Sequence, residues 1–150
     1  MLRQPVNWSA HSLHVAYYMR ANAERMGLDP DEMFICGLLH DIGYTAVNED
    51  ERHELIGSEM LRKIGVKDNI IHAIRLHGYS IDKVIEIYGK EALTAEYYLL
   101  TEADGHIDSK GNYVSYEERL EDTKSRYGED SYEYKNSLEC YNSLKSRNKK

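Results

Sequence analysis

Side chains that can bind a metal recur along this chain, and several occupy positions that a helical pattern reserves for the core. In chain order they are His11, His40, Asp41, His53, His77 and Asp104. Burying an imidazole or a carboxylate among apolar side chains costs free energy unless another group pairs with it. A bound metal ion satisfies several such groups at once, and neutral imidazole is the commonest metal ligand in proteins. A fold in which these side chains meet at a metal ion would therefore offset the free energy lost on burying them.

Helical periodicity places three of these side chains on apolar stripes. The stripes run through His53, Ile56, Met60, Leu61 and Ile64, through Ile70, Ile74 and His77, and through Leu93, Tyr97, Leu100 and Asp104. Residues three, four or seven positions apart share one face of a helix. We therefore expect His53, His77 and Asp104 to face the interior of a bundle.

Capping residues divide the chain into about seven to eight helices, and no segment shows the alternation of a strand. Asp29 followed by Pro30 starts the second helix, whose apolar run over residues 33–39 predicts burial on all sides. The other predicted helices begin after Ser9, after the loop around Asn48, near Asp68, after Ser80, near Lys90, at the Ser115–Glu118 capping box, and before the final stripe of Tyr134, Leu138, Tyr141 and Leu144. The prediction is an all-α fold, a single-domain helical bundle over residues 1–150 with a metal site in its centre.

Composition narrows the function classes. The formal net charge of −7 argues against a protein that binds nucleic-acid duplexes nonspecifically, which requires a basic surface. No apolar stretch approaches the roughly 20 residues of a membrane span, and residues 1–10 lack the apolar core of a signal peptide. Cys36 and Cys140 fit no disulfide framework, which favours a reducing, cytoplasmic location.

Taken singly, each candidate ligand has a simpler explanation. A lone histidine on an apolar face is more often a hydrogen-bonded core residue, and Asp104 alone could be a cap or an ion-pair partner. Taken together, the side chains can converge on one point in a bundle. Mixed nitrogen and oxygen ligands suit Fe, Mn, Co, Ni or Zn, with Mg favoured only at an oxygen-rich position.

The local sequence around these ligands resembles the HD superfamily of metal-dependent phosphohydrolases. The similarity lies in residues 11–16 (HSLHVA), 38–43 (LLHDIG) and 103–104 (AD), and the motif-bearing part spans about residues 9–107. The resemblance implies that His11, His40, Asp41 and Asp104 hold one divalent metal. It implies a second metal at His53 and His77, with Asp41 as the bridge. Residues 74–77 (IRLH) further resemble the bacterial branch that hydrolyses diadenosine tetraphosphate.

By this resemblance the chain is a phosphohydrolase that acts on a nucleotide or another small phosphate ester. A divalent metal lowers the pKa of bound water from about 15.7 toward about 7, which provides hydroxide at neutral pH. We expect one or two ions of Fe, Mn, Co or Ni rather than Mg or Zn, with Asp41 acting in catalysis as the bridge. His106, next but one to Asp104, is a candidate general acid.

Positive charge for the phosphate could come from arginine, because guanidinium pairs with phosphate through two parallel hydrogen bonds. Arg75, Arg119 and Arg126 are the candidates, of which Arg75 and Arg126 are predicted to bind substrate. Several superfamily members have a lysine directly after the glycine at the position of Gly43, where this chain has Tyr44, another predicted substrate contact. His14 competes with His11 as first ligand, and His72 falls off its stripe and should be exposed.

Two other functions remain open at this point. Some superfamily members with the same six ligands use two irons to activate oxygen, and a third reading is a nucleotide-binding regulatory module with little turnover. The C-terminal helical extension, about residues 115–147, carries Tyr132, Tyr134 and Tyr141, which could form a homodimer face or close the core.

Overall fold

The computed structural model describes residues 5–41, 61–63 and 65–148, and within these ranges the architecture is a bundle of α-helices. Seven α-helices lie in the described ranges: α1 (Pro5–Asn22), α2 (Pro30–Leu39), α3 (Asp68–Leu76), α4 (Ile81–Tyr88), α5 (Ala95–His106), α6 (Tyr116–Tyr127) and α7 (Tyr132–Asn148). Residues 61–63 are also helical, and the only strand-like feature of the described residues is one isolated bridge between Ile107 and Tyr113. The all-α prediction is confirmed.

The predicted helix starts follow from side chains that cap free backbone N–H groups. The Asp29 carboxylate accepts hydrogen bonds from the backbone of Asp31 and Glu32 at the start of α2. Ser80 caps α4, and Ser115 and Glu118 form the predicted capping box of α6. Each cap satisfies donors that have no partner inside the helix.

Three expectations about the helices were wrong in detail. The first helix begins at Pro5 rather than after Ser9, since proline suits the first turn of a helix. The sixth predicted helix begins at Ala95, because Thr94 caps it, and residues 90–92 form a separate 3-10 turn. Helix α2 buries one side only, because Ile35 and Leu38 are exposed while Met33 is buried.

The predicted third helix, which carries His53, falls largely outside the described residues, and so does Tyr44 in the segment before it. Within the described part of the chain, no helix has both the length and the apolar character to cross a membrane.

Three apolar clusters of described residues hold the bundle together, the smallest of which consists of Leu76, Val84, Ala92 and Tyr97. The largest joins α1, α2, α3 and α5 and includes Val15, Met19, Met33, Ile70, Ile74, Leu99 and Leu100. The second joins α6 and α7 through Tyr116, Leu120, Cys140, Tyr141 and Leu144, with Tyr134 packed against it. In the C-terminal extension, Tyr141 and Tyr134 therefore close the core, whereas Tyr132 is exposed.

Helices α1 and α2 meet at a point where both side chains are small. A Cβ atom added to Gly37 would lie 2.6 Å from the Ala16 Cα and 2.8 Å from the Ala16 backbone nitrogen. Real Cβ atoms do not approach backbone so closely, so Gly37 permits this helix spacing. The contact matters for function because it brings His40, one turn after Gly37, toward His11 on α1.

We predict that Gly37→Ala destabilises the protein. Helix propensity alone would stabilise the variant by up to about 1 kcal/mol. The clash with backbone atoms that cannot move aside should outweigh this gain and cost about 1–3 kcal/mol. Thermal or urea unfolding measures the change in the free energy of unfolding.

The control is Ala21→Gly, the reverse exchange at an exposed position of α1. This variant reports the helix propensity of the two residues without a change in packing, and it should lose at most about 1 kcal/mol. A Gly37→Ala protein more stable than wild type would show that α1 and α2 do not pack this closely.

Candidate metal centre

Three histidine rings each bond to a backbone carbonyl group through the same ring nitrogen, Nδ1. The Nδ1–H of His40 donates to the Gly37 carbonyl at 2.6 Å, and that of His77 donates to the Ile74 carbonyl at 2.6 Å. The Nδ1–H of His11 donates to the Asp108 carbonyl at 3.0 Å. A carbonyl can only accept, so these bonds place the proton on Nδ1 and leave Nε2 as the inward atom of each ring. Metal-binding histidines are fixed in this way in proteins.

The helix ends explain why these carbonyl groups are available. His40 is the C-cap of α2, and His77 is the C-cap of α3. The last carbonyl groups of a helix have no partner within the helix. Each ring folds back onto one of them, which satisfies the carbonyl and fixes the imidazole together.

Two carboxylates face the three Nε2 atoms. Oδ1 of Asp104 lies 2.7 Å from His11 Nε2 and 3.6 Å from His40 Nε2. Oδ2 of Asp41 lies 3.2 Å from His40 Nε2 and 3.8 Å from His11 Nε2, whereas its Oδ1 lies 3.8 Å from His77 Nε2. Asp41 therefore directs Oδ2 toward His11 and His40 and Oδ1 toward His77. The side chains form two overlapping groups, His11–His40–Asp104 and His40–Asp41–His77, and within each group the ligand atoms lie within 4.8 Å of one another.

The spacing, burial and chemistry of these groups fit a divalent cation. Ligand atoms about 2.1 Å from one metal and at right angles are about 3 Å apart, and the separations above bracket that value. His40 is fully buried, and its Nε2 has no hydrogen-bond partner among the described residues. An imidazole lone pair facing a carboxylate oxygen is repulsive unless a proton or a cation lies between them.

In the cluster, burial and charge attraction act in opposite directions on the pKa values of His40 and Asp104. Burial disfavours the charged form of His40, but Asp41 and Asp104 outweigh this effect and hold its pKa well above the ordinary value. Burial likewise opposes ionisation of Asp104, but the hydrogen bond to His11 and the nearby His40 imidazole hold its pKa well below the ordinary value. The cluster thus binds positive charge strongly even when that charge is carried by protons.

A small cavity of about 60 Å³ adjoins the cluster beside His77 and Asp104. Its other walls come from α5 and from α7, which contributes Asn136 and Tyr141. The amide of Asn136 donates to the Gly78 carbonyl at 2.7 Å, directly after His77. Helix α7 therefore closes one side of the site.

His106 lies in an aromatic stack rather than against the cluster. Its ring centre is 4.1 Å from that of Tyr116 and 5.1 Å from that of Tyr113, and its Nδ1–H donates to the Val114 carbonyl at 2.8 Å. These contacts favour a structural role, and its function as a general acid stays a prediction.

The other predicted residues are placed as follows. Arg75 has its guanidinium carbon 5.9 Å from the centre of the Tyr88 ring, and Arg126 pairs with Asp122 at 3.2 Å. Tyr44 and His53 lie outside the described residues. His72 was expected to be exposed but is half-buried, because its Nε2 bonds to the Ala92 carbonyl at 2.9 Å. His14 is exposed, which leaves His11 as the histidine of α1 in the cluster.

Arg119 is the residue that the sequence pattern undervalued. Its Nε–H donates to the Asp104 main-chain carbonyl at 3.1 Å, and its side chain is 12% exposed. A pattern could have found it, because Tyr116, Leu120 and Thr123 form the buried stripe of α6 and Arg119 lies on the same face.

Comparisons with known proteins match the motif-bearing part of the chain. The family model of the HD domain matches residues 8–107. A ribonuclease Y from Rhodopirellula baltica is 36% identical over 119 residues, which cover 78% of this chain and 22% of the relative. A ribonuclease Y from Clostridium novyi is 30% identical over 122 residues, which cover 78% of this chain and 23% of the relative. One from Aquifex aeolicus is 46% identical over 68 residues, which cover 45% of this chain and 12% of the relative.

This chain thus spans about a quarter or less of the length of these curated relatives. No solved structure gives a significant match. The HD model covers two thirds of the chain and includes all five residues of the cluster. The chain belongs to the HD domain family, which confirms the resemblance to the superfamily of metal-dependent phosphohydrolases.

Proposed function

We propose that this protein is a metal-dependent phosphohydrolase whose metal ligands are His11, His40, Asp41 and Asp104. The observation that carries the proposal is that the three imidazoles bond in the same way. In each of them Nδ1 bonds to a backbone carbonyl and Nε2 faces a carboxylate. His77 faces the second oxygen of Asp41 and is the candidate ligand of a second ion. His53 remains a proposed ligand of that ion.

A bound divalent cation would lower the pKa of its water and offset the negative charge of a phosphate. The protein residues supply the rest. The backbone bonds fix the rings before any ligand arrives, so little ordering is needed on binding. The burial of His40 and Asp41 keeps bulk water away from the ligand atoms and strengthens their attraction for a cation.

The donor set guides the choice of metal. Three imidazole nitrogens and two carboxylates suit Fe, Mn, Co or Ni better than Mg, which prefers oxygen ligands. We therefore propose a transition metal, with one ion at the His11–His40–Asp104 group and a second one beside His77.

For the substrate we propose a phosphodiester of single-stranded RNA, rather than the free nucleotide that the sequence predicted. The support is the name of the relatives, each of which is called ribonuclease Y. The net charge of −7 disfavours tight binding of a long duplex, whose affinity comes mainly from phosphate contacts. The same relatives favour hydrolysis over the oxygenase and regulatory alternatives.

Removing the bridging carboxylate tests the proposed ligands. We expect Asp41→Ala to lose most of its bound metal, because the substitution removes the oxygen 3.2 Å from His40 Nε2 and the oxygen 3.8 Å from His77 Nε2. Elemental analysis after loading with Mn²⁺ or Co²⁺ and desalting measures the stoichiometry. His72→Ala is the matched control, since this ring bonds to Ala92 away from the cluster. Equal metal content in wild type and Asp41→Ala would refute the assignment.

Metal binding should also stabilise the fold. At a free metal concentration about 100 times the Kd, the folded state gains about 2.7 kcal/mol. For a chain of this size we expect Mn²⁺ to raise the Tm by on the order of 5–10 °C relative to excess chelator. Differential scanning calorimetry measures the shift, which should be nearly absent in Asp41→Ala. A Tm that does not depend on metal would contradict a buried, preformed cation site.

Hydrolysis itself is tested with a substrate panel. We expect cleavage of a single-stranded RNA oligonucleotide in the presence of Mn²⁺, Co²⁺, Ni²⁺ or Fe²⁺, and loss of that cleavage in Asp41→Ala. A duplex of the same sequence, mononucleotides and diadenosine tetraphosphate complete the panel. Cleavage of the small substrates alone would overturn the proposed RNA substrate but retain the phosphohydrolase. Metal bound without hydrolysis of any of them would contradict the phosphohydrolase proposal.

A further inference from the structure

Arg119 is an arginine on the buried face of α6. Its side chain is 12% exposed, whereas that of Arg126 on the same helix is 39% exposed. Arginine is seldom buried unless its charge is compensated. Two carboxylates provide compensation here, those of Asp104 and Asp122.

The position of Arg119 is fixed through the main chain of α5. Its Nε–H donates to the Asp104 carbonyl at 3.1 Å. The next residue, Gly105, lets α6 and α7 approach, because a Cβ there would lie 2.7 Å from Tyr116 Cε1 and 2.8 Å from Tyr141 Cε1. The guanidinium is therefore held against the last turn of α5 by packing and by a backbone bond, so little side-chain freedom remains to be lost on binding a ligand.

The terminal nitrogens of Arg119 keep donor capacity. Nη2 lies 3.8 Å from Asp104 Oδ1, and Nη1 lies 3.7 Å from Asp122 Oδ2. Both separations exceed the roughly 3.2 Å limit of an ordinary N–H···O bond, so these groups attract without forming direct bonds. Asp104 Oδ1 is also the oxygen that lies 2.7 Å from His11 Nε2. Among the described residues, N–H donors that form no direct hydrogen bond to these carboxylates thus border the proposed metal ligands.

We propose that Arg119 binds a phosphate oxygen of the substrate at the metal centre. The planar guanidinium fork matches two oxygens of one phosphate group, and the fixed Nε bond sets the orientation of the fork. This inference rests on the proposed function, and it assigns the phosphate contact to a residue of α6, beyond the 8–107 match to the HD domain.

A purely structural role makes different predictions. If Arg119 only joined α6 to α5, its loss would lower the Tm and would disturb Asp104 and hence metal binding. If it binds phosphate, its loss weakens phosphate binding while metal content stays the same. The two roles are therefore separated by measuring metal, stability and phosphate affinity in the same variants.

The experiment titrates inorganic phosphate into the Mn²⁺-loaded 150-residue chain by isothermal calorimetry. We expect Arg119→Gln to bind phosphate about tenfold more weakly or worse, since one charge-assisted hydrogen bond is worth at least that factor. Its Mn²⁺ stoichiometry should match wild type. Lys124→Gln is the matched control, because Lys124 is a cation of the same helix whose side chain is 40% exposed and pairs with Glu129. Its phosphate affinity should stay within about twofold of wild type.

Several results would overturn the inference. An unchanged phosphate affinity in Arg119→Gln would do so, as would weak phosphate binding in that variant accompanied by loss of Mn²⁺. If Arg119→Gln does not fold, Arg119→Lys takes its place. A lysine keeps the charge but not the fork or the bond to Asp104, so an affinity equal to wild type would again overturn the inference.

This measurement needs no turnover, so it separates the two proposals. Phosphate binding that depends on Arg119, in a protein that hydrolyses no ester, would refute the proposed function and support the phosphate contact. Hydrolysis with full phosphate affinity in Arg119→Gln would support the function and refute the contact.

Discussion

The requirement to bring three buried imidazoles, one buried carboxylate and one partly buried carboxylate into one cluster governs the rest of this structure. Each group would cost several kcal/mol if it were buried alone. The protein reduces that cost by giving every Nδ1 a backbone carbonyl and by facing Nε2 atoms with carboxylate oxygens. The remaining repulsion between lone pairs and negative oxygens needs positive charge between them. The raised pKa of His40 and the lowered pKa of Asp104 show that protons meet this need when they are the available cation.

Helix ends provide the means of bringing these groups together. His40 and His77 follow the last residues of α2 and α3, and Asp104 lies in the last turn of α5. Unsatisfied carbonyl groups at such ends accept the imidazole protons without disturbing a helix. His11 is different, since it lies within α1 and takes its carbonyl partner from Asp108, in the turn after α5. The close Gly37–Ala16 contact is therefore part of the site, because it sets how near α1 lies to the other ligands.

The sequence predicts which described side chains meet in the cluster better than it predicts their surroundings. Helical periodicity identifies His77 and Asp104, because a polar residue on an apolar stripe must find a partner. Thr94 was overlooked as a cap, which moved the start of α5, and the all-round apolar run of α2 gave no sign that Ile35 and Leu38 face outward. The stack around His106 could not be predicted, since Tyr113 and Tyr116 reach it only after α5 has turned into α6. Local patterns report which face is buried, but not which faces meet.

The division between the family match and the C-terminal helices bears on specificity. The matched residues 8–107 contain every described ligand of the proposed metal centre. Helices α6 and α7 lie beyond the match, yet Arg119 bonds to Asp104, and Asn136 bonds to Gly78 beside His77. Catalysis by a metal requires only the metal ligands. Discrimination between phosphate esters requires, in addition, groups that touch the substrate away from the metal. The proposed phosphate contact of Arg119 comes from α6, so family membership supports the metal-dependent chemistry, whereas this proposed contact lies outside the match.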